Sequence, residues 1–527
     1  MDQFYIGRQH LTMIAVVIVV LVLLLYIYGT RNHEYWIKRG VKHDKTIPLF
    51  GNDGKRFLMQ RSIAQMAAEV YWRYPEEEFV GYFRGSIPEL VIRDPDLINQ
   101  IIITDFSYFS SRGMAVMNTE PLLRNLFFAD GDLWRLLRQR MSPAFTSSKL
   151  KAMFPLIVER AERLQVRTLT AAAEGKTLDA RELLARYTTD FIGACGFGLD
   201  ADSLNVEDSE FRKLGNRIFN VTLKRALVTI LKVIFPEIFK NMKFLGQRLE
   251  DEIHMLVSEI QKQRNFKPSG RNDFIDFLME WQQRGKILVE SMEHQNKDGS
   301  PKIVELEIDD ILVAAQAFIF FAAGFETSSS AMSFTLHQLA YSPEIQKKAQ
   351  MDIDSVLEKY NNKLSYDAIK EMKYLDWVFY EGLRMFPSAG FLSRQCVRKY
   401  TIPGTEVTID PGVKICVPLL AIQNDPKYFD NPSEFRPERH SPEEAAKRPK
   451  CVFMPFGEGP RMCIGARLGH MQSMAGLAAI LSKFTVSPAP ETLRHLIPDP
   501  RSSILQNIVG DIPLIFTSRK DIDQNFR

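Results

Sequence analysis

The chain has 527 residues, 45% of them hydrophobic, and a formal net charge of +3 at pH 7. That composition is ordinary for a globular protein and excludes disordered and fibrous classes, while so small a charge decides nothing about partners. Five dispersed cysteines, Cys195, Cys396, Cys416, Cys451 and Cys463, include no Cys-x-x-Cys pair, which speaks against a disulfide framework and for a reducing compartment.

Residues 11–28 form an almost purely aliphatic run, long enough at ~1.5 Å per residue to span most of a hydrocarbon core. An uncleaved anchor and a cleaved signal peptide both fit such a run, and the absence of a small-x-small site after Tyr28 favours the anchor. Arg31, Lys38, Arg39, Lys42 and Lys45 follow it, whereas Asp2 and Arg8 precede it, so the body is expected on the cytoplasmic face. Tyr26, Tyr28, Tyr35 and Trp36 suit the membrane interface. The expected division is residues 1–30 as anchor, 31–52 as a basic hinge with one proline, and 53–527 as a single globular domain.

Residues 79–83 and 89–92 alternate around a Gly-Ser-Ile-Pro turn and predict a β-hairpin. Helical patterns then dominate. Trp134 and Arg138 stand four apart and share a helical face, which suits a core tryptophan with a rim arginine or a pair directed at a ligand. Arg112 precedes them in a Ser-Ser-Arg-Gly loop. Residues 217–244 are apolar but carry Lys224, Lys232 and Lys240, with Pro236 as a breaker; a satellite core and a segment dipping into the membrane fit equally. Residues 295–301 read as a loop.

The longest helical stretch covers 307–341, and its middle, 311–323, is apolar on all sides except for Gln316. Ala323-Gly324-Phe325-Glu326-Thr327 follows, where a mid-helix glycine costs about 1 kcal/mol and a buried Glu or Thr needs partners. A helix end at Gly324 with a cap at Thr327 is the plainer alternative. Glu381 and Arg384, three apart among apolar neighbours, predict a buried ion pair. Finally, 456–465 is a Gly- and Pro-bearing loop that delivers Cys463 to the start of a helix over 466–484, a position that favours a thiolate. No second Cys or His stands at zinc spacing, so the sulfur suits the single axial ligand of a haem iron.

Phe456, Gly459, Arg461, Cys463 and Gly465 fall at intervals of three, two, two and two. This resembles the haem-binding signature F-x-x-G-x-R-x-C-x-G of the cytochrome P450 superfamily, without departure at any defined position. The resemblance implies a mainly α-helical triangular prism with small β-sheets, a haem b cofactor on Cys463, and insertion of one atom of dioxygen into an apolar xenobiotic, fatty acid or steroid-like molecule. Carried over by position, it implies propionate partners in Arg112, Trp134, Arg138, Arg394 and Arg461, and a loop shaped by Phe456, Gly459 and Gly465. The A-G-x-[DE]-T match implies that Gly324 leaves room for dioxygen, that the Thr327 hydroxyl distorts the helix and donates to bound oxygen, and that Glu326 helps deliver protons. Arg439, in Pro-Glu-Arg-His where the family has P-E-R-F, joins Glu381 and Arg384, with His440 in place of the usual aromatic.

No strand–GxGxxG–helix unit is present for a nicotinamide or flavin, so electrons must come from outside. The resemblance supplies NADPH–cytochrome P450 reductase in the same endoplasmic reticulum membrane, with cytochrome b5 as an assistant. Lys447, Arg448, Lys450 and the basic residues of 138–151 read as a steering face or as a solvated rim. Residues 323–329 and 461–465 resemble insect microsomal, xenobiotic-oxidising members. The expected pocket comprises the loop after Arg112 and residues 318–325, 388–392 and 502–505. A peroxide isomerase needing no electrons and a haem-dependent gas sensor are the competing functions, and the intact Glu326–Thr327 pair counts against both.

Overall fold

The aliphatic run lies in one helix, α1 (Asp2–Thr30), in a computed structural model that describes residues 2–114, 120–219, 222–271 and 273–519. Two helices among the described residues are long and apolar enough to cross a membrane. None of the window over His10–Thr30 is buried, whereas 67% of that in Asp310–Ala340 is, so the second is a core helix and the first a candidate anchor.

The predicted hairpin forms from β1 (Phe79–Arg84) and β2 (Ile87–Ile92), paired antiparallel with Val80 opposite Val91. Trp36, expected at the membrane interface, is instead fully buried against this hairpin, its indole N–H donating to the Tyr82 carbonyl at 3.1 Å. Gly81 is what admits it, because a Cβ there would meet the indole ring. Tyr35 is likewise held inside the fold by Asp410, so of the four aromatics expected at the interface these two correct to structural roles.

Helices account for most of the rest: α2 (Gly131–Met141), α3 (Ser147–Ala173), α4 (Ala180–Ile192), α5 (Glu210–Phe219), α6 (Leu223–Ile234) and α7 (Pro236–Phe239). Pro236 starts α7, where its missing N–H and fixed φ cost nothing. The turn expected at 295–301 joins two strands that periodicity did not reveal, β3 (Lys286–Gln295) and β4 (Pro301–Glu307). Then comes α8 (Asp310–Ala340), whose N-terminus is capped by the Asp309 carboxylate on Leu312 N–H.

After α9 (Lys373–Met385), strands β5 (Leu392–Gln395) and β6 (Lys414–Val417) complete a four-stranded sheet of order β1-β2-β6-β5. The chain closes with α10 (Ala466–Lys483), β7 (Phe484–Pro488) and β8 (Pro513–Ser518). The main core gathers α8 with α4, α9 and α10, with Phe321, Met332, Leu336 and Met474 fully buried. This mainly helical fold with small sheets is the expected class.

Candidate active site

The loop before α10 folds back on itself. Cys463 N–H donates to the Phe456 carbonyl at 2.8 Å, and Met462 N–H to that of Gly459 at 3.0 Å. Gly459 holds a positive φ of 73°, and a Cβ on it would strike the carbonyl of Ile102, so both conformation and contact require glycine. Gly465 stands at the N-cap of α10 and donates its N–H to the Cys463 sulfur.

That sulfur faces an enclosed space. Cys463 is exposed, yet burial pushes its thiol above the ordinary value, against the Gly465 N–H and the charges of Arg138 and Arg112.

Four arginines converge around the loop. Arg461 donates to the carbonyls of Ser110 and Ala129 and to the Asp130 carboxylate at 2.7 Å, with its guanidinium 4.3 Å from the Trp134 ring centroid. Arg112 reaches the Arg461 carbonyl and Arg138 the Met462 carbonyl. Burial pulls Arg112 down to about 10 and Arg394 to about 9, the latter also repelled by Arg112 and Arg461. The Nε atoms of Arg112 and Arg394 are buried and lack partners among the described residues.

Facing this loop system, α8 runs unbroken through 323–327, which removes the helix-end alternative. Thr327 donates its hydroxyl to the Ala323 carbonyl at 2.6 Å without interrupting the helix, so the expected local distortion is absent. A Cβ on Gly324 would run into Ile192, so glycine here is what lets α8 lie against α4. Burial raises the Glu326 carboxyl, with Arg181 and Arg212 opposing.

A cavity of about 680 Å³ lies against this turn. Phe127, Phe128, Phe219, Phe318, Ala323 and Thr327 supply its apolar end; Glu326, Arg181, Arg212 and Asp499 supply a polar one. Members of 318–325 and all of 502–505 line it as expected, whereas 388–392 do not, and residues 115–119 of the loop after Arg112 lie outside the described residues. Cys463 is not among the lining residues, so this cavity occupies the α8 side.

The cytochrome P450 family model matches residues 42–512. The chain belongs to the cytochrome P450 family. It is similar to cytochrome P450 6B6 of Helicoverpa armigera, 38% identical over 93% of this chain and 95% of that protein. It is also similar to probable cytochrome P450 6a18 of Drosophila melanogaster, 37% identical over 92% and 94%, and to cytochrome P450 6k1 of Blattella germanica, 33% identical over 95% and 96%.

As a cytochrome P450 the protein is a monooxygenase that works with haem and dioxygen. Its residues fit that group. Four buried or half-buried guanidiniums face one carboxylate, Asp130, and two of them hold orphaned donors, an excess that calls for an anion. The accessible thiol and the glycine-lined approach supply the iron's side.

Sequence reasoning missed Asp130 and Thr188. Asp130 sits at the N-cap of α2 but spends its carboxylate on Arg461 and Ser111 rather than on the helix. The only local signal was an acidic residue at a helix start, which ordinarily marks a cap. Thr188 donates to the Phe325 carbonyl and nothing local marks it, whereas Ser388, expected in the pocket lining, donates instead to the Thr327 carbonyl.

Proposed function

We propose that this cytochrome P450 inserts one atom of dioxygen into an apolar small molecule, a xenobiotic, fatty acid or steroid-like compound. Electrons come from NADPH–cytochrome P450 reductase in the same membrane, with cytochrome b5 as an assisting donor. The observation that carries this reading is the meeting of Thr327 and Glu326 with an aromatic-walled cavity on one turn of α8. When bound, haem would supply oxygen binding and O–O cleavage, favoured by electron donation from a thiolate ligand.

Cys463 would hold the iron through sulfur; Arg112, Arg138, Arg394 and Arg461 would hold the haem carboxylates, with Trp134 packed under Arg461 and Phe456, Gly459 and Gly465 shaping the loop. Glu326, raised by burial, keeps a proton at a higher pH than an ordinary carboxyl and can release it inside the cavity. The Thr327 hydroxyl, resting on Ala323, turns to pass that proton onward. Gly324 contributes by seating α8 on Ile192. The aromatic end excludes water and holds apolar substrate by area, at roughly 1–3 kcal/mol per methylene.

A Thr327→Ala variant is expected to keep its haem and consume NADPH while several-fold more of the reducing equivalents leave as peroxide, measured by peroxide assay with reductase. Unchanged coupling would remove Thr327 from the proton path. The same assay separates an isomerase, which ignores NADPH, and a sensor, which binds carbon monoxide without substrate-linked turnover.

The resemblance to microsomal members supports anchoring in the endoplasmic reticulum, and the basic residues after α1 support a body on the cytoplasmic face. The anchor's end is tied to the 217–244 region: Tyr28 donates to Glu237 at 2.7 Å and stacks on Phe235, and Arg31 pairs with Glu237 at 3.0 Å. Nearby Leu223 is 83% exposed and Ile238 68%, while Lys232 turns inward, a pattern that favours the membrane-dipping reading of this segment. Deleting residues 1–30 is therefore expected to leave much of the protein in the membrane pellet, and adding Leu223→Glu with Ile238→Glu to release it. Full release by the deletion alone would assign all attachment to α1.

For the electron donor, Lys450 remains exposed on the basic face. Arg448 instead donates inward to the Arg439 carbonyl, and Lys447 and Lys151 carry surface carboxylate partners of small energetic weight.

A further inference from the structure

Glu120 is a buried carboxylate that nothing in the haem site or proton path uses. It is 0% exposed, although an isolated charge in such a place is strongly unfavourable without partners. Two of its partners, Phe244 and Leu245, form part of the roof of the substrate cavity. Phe244 N–H donates to Oε1 at 2.7 Å, Leu245 N–H to Oε2 at 2.8 Å, and Lys232 of α6 stands 3.5 Å from Oε1.

Phe244 and Leu245 both line the cavity, as does Leu123, three residues beyond Glu120. Arg225 grips the same short segment from the other side. Its guanidinium donates to the Leu245 carbonyl at 3.2 Å and to the carbonyls of Arg217 and Ile218. Burial lowers Arg225, and the Glu120 charge partly restores it. One carboxylate and one guanidinium thus hold the backbone at 244–245 by its N–H groups and its carbonyl, joining three stretches of chain that are separate in sequence.

We infer that Glu120 is a positioning residue that clasps the cavity roof and so determines how large a molecule reaches the α8 turn. This rests on the proposed substrate role of the cavity. Charge-assisted bonds to backbone N–H groups are worth more than neutral ones, so the clasp keeps the 244–245 segment against Leu123 most of the time. A small ligand passes it; a bulky one waits for it to open.

Glu120→Gln keeps the shape, loses the charge and retains one acceptor for two N–H donors. Stopped-flow spectra of the haem-loaded full chain would follow association of imidazole, of 1-phenylimidazole and of carbon monoxide. Relative to the unsubstituted protein, 1-phenylimidazole is expected to associate about tenfold faster, with imidazole and carbon monoxide within about twofold. Lys232→Met, which leaves both backbone bonds, is expected to give a smaller rise in the same direction. A uniform effect on all three ligands, or no change with either variant, would overturn the clasp while leaving the haem reading intact. An unsubstituted protein whose spectrum responds to no azole would overturn that reading, and the clasp with it.

Discussion

Cys463→Ala is expected to yield a folded chain that purifies without haem and shows no carbon-monoxide difference band, a loss of haem of at least about tenfold. The remaining cysteines are buried in the core, where desolvation pushes Cys396 and Cys451 to about 11 and Cys195 and Cys416 upward as well.

A Cys463→Ala protein with a normal thiolate spectrum would refute the assignment.

Glu381→Gln is expected to be the most destabilising change outside the loop, by roughly 3–5 kcal/mol, the cost of breaking a buried ion network from one side. Glu381 accepts from Arg384 Nε at 2.8 Å and Nη2 at 3.0 Å, from Arg439 Nε at 3.3 Å, and from the Arg436 backbone N–H at 3.0 Å. His440 Nε2 lies 3.0 Å from the same carboxylate. Arg384 passes the restraint on to the carbonyls of Gln423 and Pro432. Against a total stability of about 5–15 kcal/mol, that loss is large.

Denaturant titration of the loaded protein would measure it, and a change under ~1 kcal/mol would sink the claim. Burial alone would raise the Glu381 carboxyl; the bonds from His440 and Arg384 outweigh it and hold the group at about 2. The folded carboxyl thus binds its proton less tightly than the unfolded one near 4.5. Its contribution, roughly 3 kcal/mol, is present above that value and is lost as pH falls from 4.5 toward 2. The Gln variant should lack this acid-dependent loss.

How much was legible follows from the range of each interaction. The Glu381–Arg384 pair was visible because three residues on one helix are neighbours by geometry. Arg439 entered by resemblance, and His440, which stood out only as a departure, proved to be a further partner of Glu381. The β3–β4 hairpin was half seen: its turn was polar, but Leu288 and Ile303 face outward and Ser291 inward, which breaks the apolar–polar alternation. Trp36 misled because an aromatic beside a membrane span suits a lipid interface and a protein interior equally, and only Gly81 across the fold shows which.

By itself the sequence pointed to the proposed iron ligand, the proposed proton-handling turn and the candidate anchor. Each depends on residues within about twenty positions of one another, so spacing on a loop or helix carries the chemistry. Tertiary structure alone decided how the Cys463 surroundings are charged, what Gly324 makes room for and what holds the cavity roof. Those contacts join positions far apart, as Arg461 joins Asp130 across 331 residues and Glu120 joins Leu245 across 125. No local pattern encodes such pairs, because burial, not periodicity, sets whether a charge must find a partner and which one lies within reach.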